Sequence, residues 1–207
     1  MRFSNIALAA FSFGSAIAAP AAHQNNARAL EILATATATV GTVQSSVDVE
    51  LKSISNLLLD VNVNINASAL IPQLEHALLN IAGEVTKIVG DVTPLVTEDI
   101  PKLLDSELKT VPQLLNGVLS IATGVKAAAD QITKTVPADV LKAVQPELQL
   151  VLSTVEPVAK PVLSFALKVV SGVVSPLADE INGLVGQLQG VVGGLLKLVG
   201  GILGSIL

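Results

Sequence analysis

The stretch Ile181 to Leu207, INGLVGQLQGVVGGLLKLVGGILGSIL, holds a single charge, Lys197, and otherwise mixes aliphatic residues with glycine. Leu184, Leu188, Val191, Leu195, Leu198, Ile202 and Ile206 follow one another at alternating steps of three and four. Gly183, Gly186, Gly190, Gly193, Gly200 and Gly204 form a second line, with Gly194 and Gly201 beside it. Both lines have the helical period. They predict a helix with a bulky aliphatic face for contact with a hydrophobic surface or lipid, and a glycine face that a backbone can approach closely. Gly186, Gly190 and Gly194 repeat the small-xxx-small spacing of tightly packed helices. Such a helix does not stay solvated alone, and what covers it decides what the chain does.

The first residues read as a secretory signal. Arg2 is a minimal basic region, Ile6 to Ile17 is a short apolar run, and Ala16-Ile17-Ala18 supplies the small residues of a cleavage site. The expected organisation is a signal over 1–18, a flexible polar leader over 19–26, a helical domain over 27–180 and the glycine-rich helix over 181–207. Cleavage removes Arg2 and takes the formal charge from −5 to −6 (−5 minus one positive). An acidic, apolar chain lacks the clustered Lys and Arg of a nucleic-acid binder, so no nucleic-acid partner is expected.

There is no cysteine, so a secreted chain does without disulfide staples. Phe3, Phe11 and Phe13 lie in the signal, which leaves Phe165 as the only other aromatic residue. Stacking platforms for sugars or single-stranded nucleic acid are therefore missing. The core has to be built from Leu, Val, Ile and Ala, which supply apolar area with few shape-specifying contacts.

Helical stripes run through most of the mature chain. Leu30, Leu33, Val40, Val43, Val47, Leu51, Ile54 and Leu58 predict a helix over 28–59, with Gly41 and the threonines at 35, 37, 39 and 42 weakening its middle. Asp60 to Ser68 alternates like a strand but has no partner strand, and is read as an exposed connection ending in the glycosylation acceptor Asn66-Ala67-Ser68. A second helix is expected over 68–90, with Leu70, Leu74, Leu78, Ile81, Val85 and Ile88 inward. His76 sits beside that stripe as a boundary residue, without the further ligands a metal site requires.

Ile100-Pro-Lys-Leu-Leu is echoed eleven residues later by Val111-Pro-Gln-Leu-Leu. Either an eleven-residue repeat, which keeps an apolar stripe straight along a helix, or two independent helix starts would account for it. Both readings give helices over 98–110 and 111–134, with Thr110 and Gln113 forming a capping box. A further helical region over 135–174 carries Pro146, Pro157 and Pro161 inside its stripe, which predicts a bent or segmented rod. Ser175-Pro176 then starts the last helix.

The expected fold is therefore all-α, a bundle of five to seven helices, several of them proline-kinked. No Gly-x-Ser-x-Gly elbow, no cysteine nucleophile and no phosphate loop is present, and two histidines do not supply a base with its orienting partner. Glu98/Asp99 and Asp179/Glu180 sit at helix starts, where carboxylates suit the dipole. The chain reads as non-enzymatic, with no cofactor and no metal. Four readings are open for the last helix: a packed core helix, a transmembrane span, a removable GPI signal with its site at Asn182-Gly183, or a surface-active, self-associating segment. Lys197 speaks against the second and third. The packed and surface-active readings stand first.

The Ala-Ile-Ala-Ala-Pro-Ala signal end looks like that of filamentous fungi. The cysteine-free, aromatic-poor, Ala/Val/Leu/Thr-rich helical body over 27–175 resembles the hydrophobic surface binding protein A and cell-wall galactomannoprotein group. That resemblance implies a helical bundle, an extracellular or wall location, and binding to hydrophobic surfaces or fatty-acyl lipids. A lipid carrier with an acyl chain among kinked helices, and a membrane-anchored or membrane-disrupting protein, are the alternatives.

Overall fold

The aliphatic stripes fold as helices packed side by side. The computed structural model describes residues 21–61, 67–97, 103, 105–171 and 176–204. Among these, the elements are α1 (Ala21–Val61), α2 (Ala67–Val92), α3 (Pro94–Thr97), α4 (Asp105–Leu108), α5 (Thr110–Thr135), α6 (Ala138–Val170) and α7 (Pro176–Gly204). The fold is all-α: five long helices and two single turns. α1 packs on α2 and α5, α2 packs on α6, and α5 and α6 pack on each other. α7 lies against α5 and α6. The result is three layers, α1/α2, then α5/α6, then α7 alone. The middle layer is covered on both sides.

One core runs through all three layers and is almost wholly aliphatic. Leu70, Leu74, Leu78, Ile81, Val85 and Ile88 are all buried, as the period of α2 requires. α6 contributes Val144, Leu148, Val151, Val155, Val158, Val162 and Phe165. No polar or charged residue is buried among the described ones. Polar groups pair instead between helices at the rim: Thr39 donates to Asp91 at 2.6 Å, Asn80 to Glu50 at 3.0 Å and Gln44 to Ser120 at 3.2 Å.

Several local expectations change. α1 begins at Ala21, so residues 21–26 of the expected leader are helical. α1 also runs unbroken through Gly41, where Val40, Val43 and Val47 are buried against the bundle and tertiary packing outweighs local propensity; Thr37 donates to the Leu33 carbonyl at 2.8 Å and Thr42 to that of Ala38 at 3.0 Å. The helix expected over 98–110 is reduced, in its described part, to the turn Asp105–Leu108. No capping box forms at Thr110 and Gln113, since the residue before α5 is Lys109, itself helical and without a side-chain cap. α6 stays one helix across Pro146, Pro157 and Pro161. Pro146 and Pro157 are exposed, so the missing N–H groups cost the helix its bonds on the outer side while the inner stripe stays packed. Asn66, the signal over 1–18 and the remainder of the leader lie outside the described residues.

Close backbone approach occurs on α5, at two glycines seven residues apart. A Cβ on Gly117 would fall on the Val40 side chain of α1, and one on Gly124 would lie 2.5 Å from Leu51 Cδ1. Val40 is β-branched and holds one helical rotamer, so it gives way poorly; Leu51 can swing. Gly117→Ala is therefore expected to lower stability by about 1–3 kcal/mol from overpacking, against only ~1 kcal/mol gained in helix propensity. Gly190→Ala, where a Cβ meets open space, is expected to raise stability by about 0.5–1 kcal/mol. Urea midpoints at constant slope read both. Shifts of the same sign would contradict this assignment of the close contact, and a concentration-dependent loss at Gly190 would reveal a second copy on that face.

Candidate ligand-binding cavity

α7 does not project from the bundle. Ala178, Ile181, Val185, Leu188 and Leu195 are buried, at steps of three, four, three and seven. Of the expected stripe, Leu188 and Leu195 are thus buried, and Leu184, Val191 and Leu198 are half-buried beside them. The surface that the aliphatic stripe covers is therefore the α5/α6 layer of its own chain. The side chains of Ile202 and Ile206 lie outside the described residues.

The glycine face points the other way. A Cβ on Gly183, Gly186, Gly190, Gly193 or Gly200 would meet nothing within 4 Å. Gly186 and Gly190 thus make no close approach to another helix of this chain and stay open to an outside partner. The apolar stripe already satisfies α7 against two helices, leaving glycine for the outside. Gly194 differs: its Cβ would lie 3.0 Å from Lys126 Cε, so the stem of a lysine on α5 packs over it. α6 and α7 are both long and apolar enough to cross a membrane by length and composition. In this fold the apolar side of each faces the shared core.

Where the C-terminal half of α7 meets α5 and the first turns of α6, the packing opens into a cavity of about 890 Å³. Each helix presents one face to it. α5 gives Lys126 and Thr133, seven residues apart; α6 gives Ala138, Leu141, Lys142 and Gln145; α7 gives Gly194, Lys197, Leu198 and Gly201. These are the i, i+3, i+4, i+7 spacings of a single helical face. The cavity lies beside the two-residue turn, Val136-Pro137, that joins α5 to α6. Its size falls within the ~300–1,000 Å³ of pockets that enclose small ligands.

The lining has no acid and three lysines. Lys126 bonds Asp130 of its own helix at 2.8 Å, with both side chains about one-third exposed. Lys142 and Lys197 are exposed at the rim. Thr133 donates back to its own helix, to the Ala129 carbonyl at 2.9 Å and that of Asp130 at 3.1 Å. No base faces the Thr133 hydroxyl in this lining, so the site offers charge and apolar area rather than an activated nucleophile. Among the described residues no group of three or more His, Cys, Asp or Glu could hold a metal. His76 is exposed and lies 3.3 Å from Asn80.

A second, shallower groove of about 560 Å³ lies between α1 and α2 beside the exposed Val49 and Leu79. Its polar groups already serve each other: Asn80 bonds Glu50, and Lys87 pairs with Glu84. No family model, curated protein or solved structure matches this chain.

Only part of the cavity is visible in the sequence. Lys197 stands out as the lone charge of the last stretch, but Lys126 and Lys142 are ordinary helix-surface lysines until three helices bring them together. Gly117 and Gly124 do carry a signal, two glycines one heptad apart on a helix. The denser glycine line of α7 obscures it.

Proposed function

We propose that this chain is a secreted, non-enzymatic lipid-binding protein of the extracellular space or cell wall, holding a single-chain lipid in the cavity between α5, α6 and α7. The observation that carries the reading is the docking of α7: Ile181, Val185, Leu188 and Leu195 are buried against the bundle. What α7 leaves accessible is an open, lysine-rimmed apolar hollow. The walls are Leu141, Leu198, Ala138, two glycines and lysine stems, with Thr133 and Gln145 and no aromatic ring, which suits a flexible aliphatic chain better than a planar one. The resemblance to the hydrophobic surface binding protein A group points toward the same class of ligand.

A second reading, adsorption to a hydrophobic surface, draws on another observation. α7 forms an outer layer by itself on α5 and α6, with no neighbouring helix beside it among the described residues. Its release would expose aliphatic stripes on α5, α6 and α7 together, the kind of contiguous apolar patch that drives adsorption. Binding to an acyl chain and spreading on a lipid layer are then two depths of the same opening.

Native mass spectrometry of the mature protein, followed by extraction and analysis of bound lipid, tests the first reading. The expected result is about one aliphatic lipid per chain. Protein free of lipid that also fails to take up an added amphiphile would exclude the carrier. Partition onto liposomes by a protein that never holds a single lipid would favour adsorption.

A further inference from the structure

We infer that Asn182-Gly183, in the second turn of α7, is a site of spontaneous covalent ageing: the asparagine is converted through a succinimide to aspartate and isoaspartate, and the docking of α7 sets the rate. Whether the cavity holds a lipid has no bearing on it. The chain contains two Asn-Gly pairs, Asn116-Gly117 and Asn182-Gly183, and every other asparagine is followed by a residue with a side chain. Glycine leaves the backbone nitrogen unshielded and its dihedrals free, which favours ring closure. The Gly183 nitrogen loses its proton to hydroxide and attacks Cγ of Asn182. The Cγ–Nδ2 bond breaks, and Nδ2 takes up a proton from water and leaves as ammonia. A second water then opens the succinimide at either carbonyl, giving aspartate or isoaspartate, each with one more negative charge than asparagine.

The fold treats the two pairs differently. Both lie inside helices, α5 and α7. There the helical backbone holds the asparagine Cγ away from the next nitrogen, and that N–H is tied into the helix ladder. Reaction therefore waits for local opening, and because reclosing is far faster than the chemistry, the rate follows the open population. Asn116 and Asn182 are both exposed, so access to water does not distinguish them. Their glycines do. Gly117 is buried, with Val40 of α1 where its Cβ would be, and α5 packs on α1, α6 and α7. Gly183 is exposed with open space around it, in the outer layer. Gly186, Gly190, Gly193 and Gly194 follow it, and glycine holds a helix weakly. Isoaspartate then routes the main chain through the side-chain carbon and lengthens it by one atom. Between Ile181 and Val185, both buried, that shifts the register in which α7 meets the bundle. The modified helix redocks poorly, so ageing turns a docked α7 into a released one.

Peptide mapping by mass spectrometry, with isoaspartate identified from its fragments, reads both sites in purified protein held in warm, mildly alkaline buffer. In the folded chain residue 182 is expected to react at least about tenfold faster than residue 116, from the difference in opening. In urea the two should react alike. G183A, which places a Cβ in open space, should slow residue 182 about tenfold or more by restricting the attacking backbone, and leave residue 116 unchanged. Chains with isoaspartate at 182 should exchange amide hydrogens faster across 176–204 than unmodified chains in the same sample. Equal rates at the two sites in the folded protein, or faster reaction at 116, would overturn the assignment. So would a folded chain inert at 182 while the urea-unfolded chain reacts. Unchanged exchange across 176–204 in the modified chains would overturn the link to docking.

Discussion

Phe165→Ala is expected to lower the unfolding free energy by about 3–5 kcal/mol and the melting temperature by roughly 6–20 °C. Phe165 is 1% exposed and is the only aromatic residue outside the first twenty. Every other large core side chain is Leu, Ile or Val, so nothing else in the core has its breadth. It lies one turn beyond Pro161, on a helix that has lost three backbone bonds to proline. α6 therefore depends on side-chain packing more than an ordinary helix does, and also forms the floor beneath α2, α5 and α7. Phe165→Leu retains most of the volume and should cost less than about 1.5 kcal/mol. Urea unfolding of the pair reads the difference. A loss below about 1 kcal/mol for the alanine variant would mean that the core around α6 is loose enough to collapse into the space.

Leu188→Asp is expected to undock α7 rather than unfold the whole bundle. Leu188 is fully buried at the centre of α7, and an unpaired carboxylate there carries a penalty of roughly 3–5 kcal/mol. α7 touches only one layer, so release of the helix relieves that penalty while the contacts of α1 and α2 with α5 and α6 persist. Hydrogen exchange should accelerate across 176–204 and change little in α1 and α2. Dye binding to newly exposed apolar surface and partition onto liposomes should both rise. Global unfolding with no intermediate would show that α7 is integral to the fold rather than an added layer. Leu188→Asn, which buries no charge, should show the same order of events more weakly.

Much of this architecture was legible from periodicity, since every stripe residue of α2 from Leu70 to Ile88 is buried. α7 was legible as a helix, and its expected stripe faces the core: Leu188 and Leu195 are buried and Leu184, Val191 and Leu198 pack beside them. Ile181 and Val185, outside that stripe, are buried as well, so the covered face is turned slightly from the expected one. The partner surface, α5 and α6, sets that turn and leaves most of the glycines outward. The threonine-rich middle of α1 misled in the other direction: its low propensity is offset by Val40, Val43 and Val47 in the core. The cavity was the least legible feature. Positions 126, 142 and 197 share no spacing along the chain, and only the packing of three helices brings them together.

Bound lipid, measured side by side on the wild-type protein and on Gly201→Phe, is the most direct measure of whether this cavity is the binding site. Gly201 lies on the cavity wall and a Cβ there would meet no atom within 4 Å, so the backbone accepts a side chain and phenylalanine is expected to fill part of the opening. The wild type is expected to yield about one aliphatic lipid per chain, and the variant, with an unchanged helical spectrum, close to none. Equal lipid content in the two, or a wild type that neither carries nor takes up lipid, would contradict it.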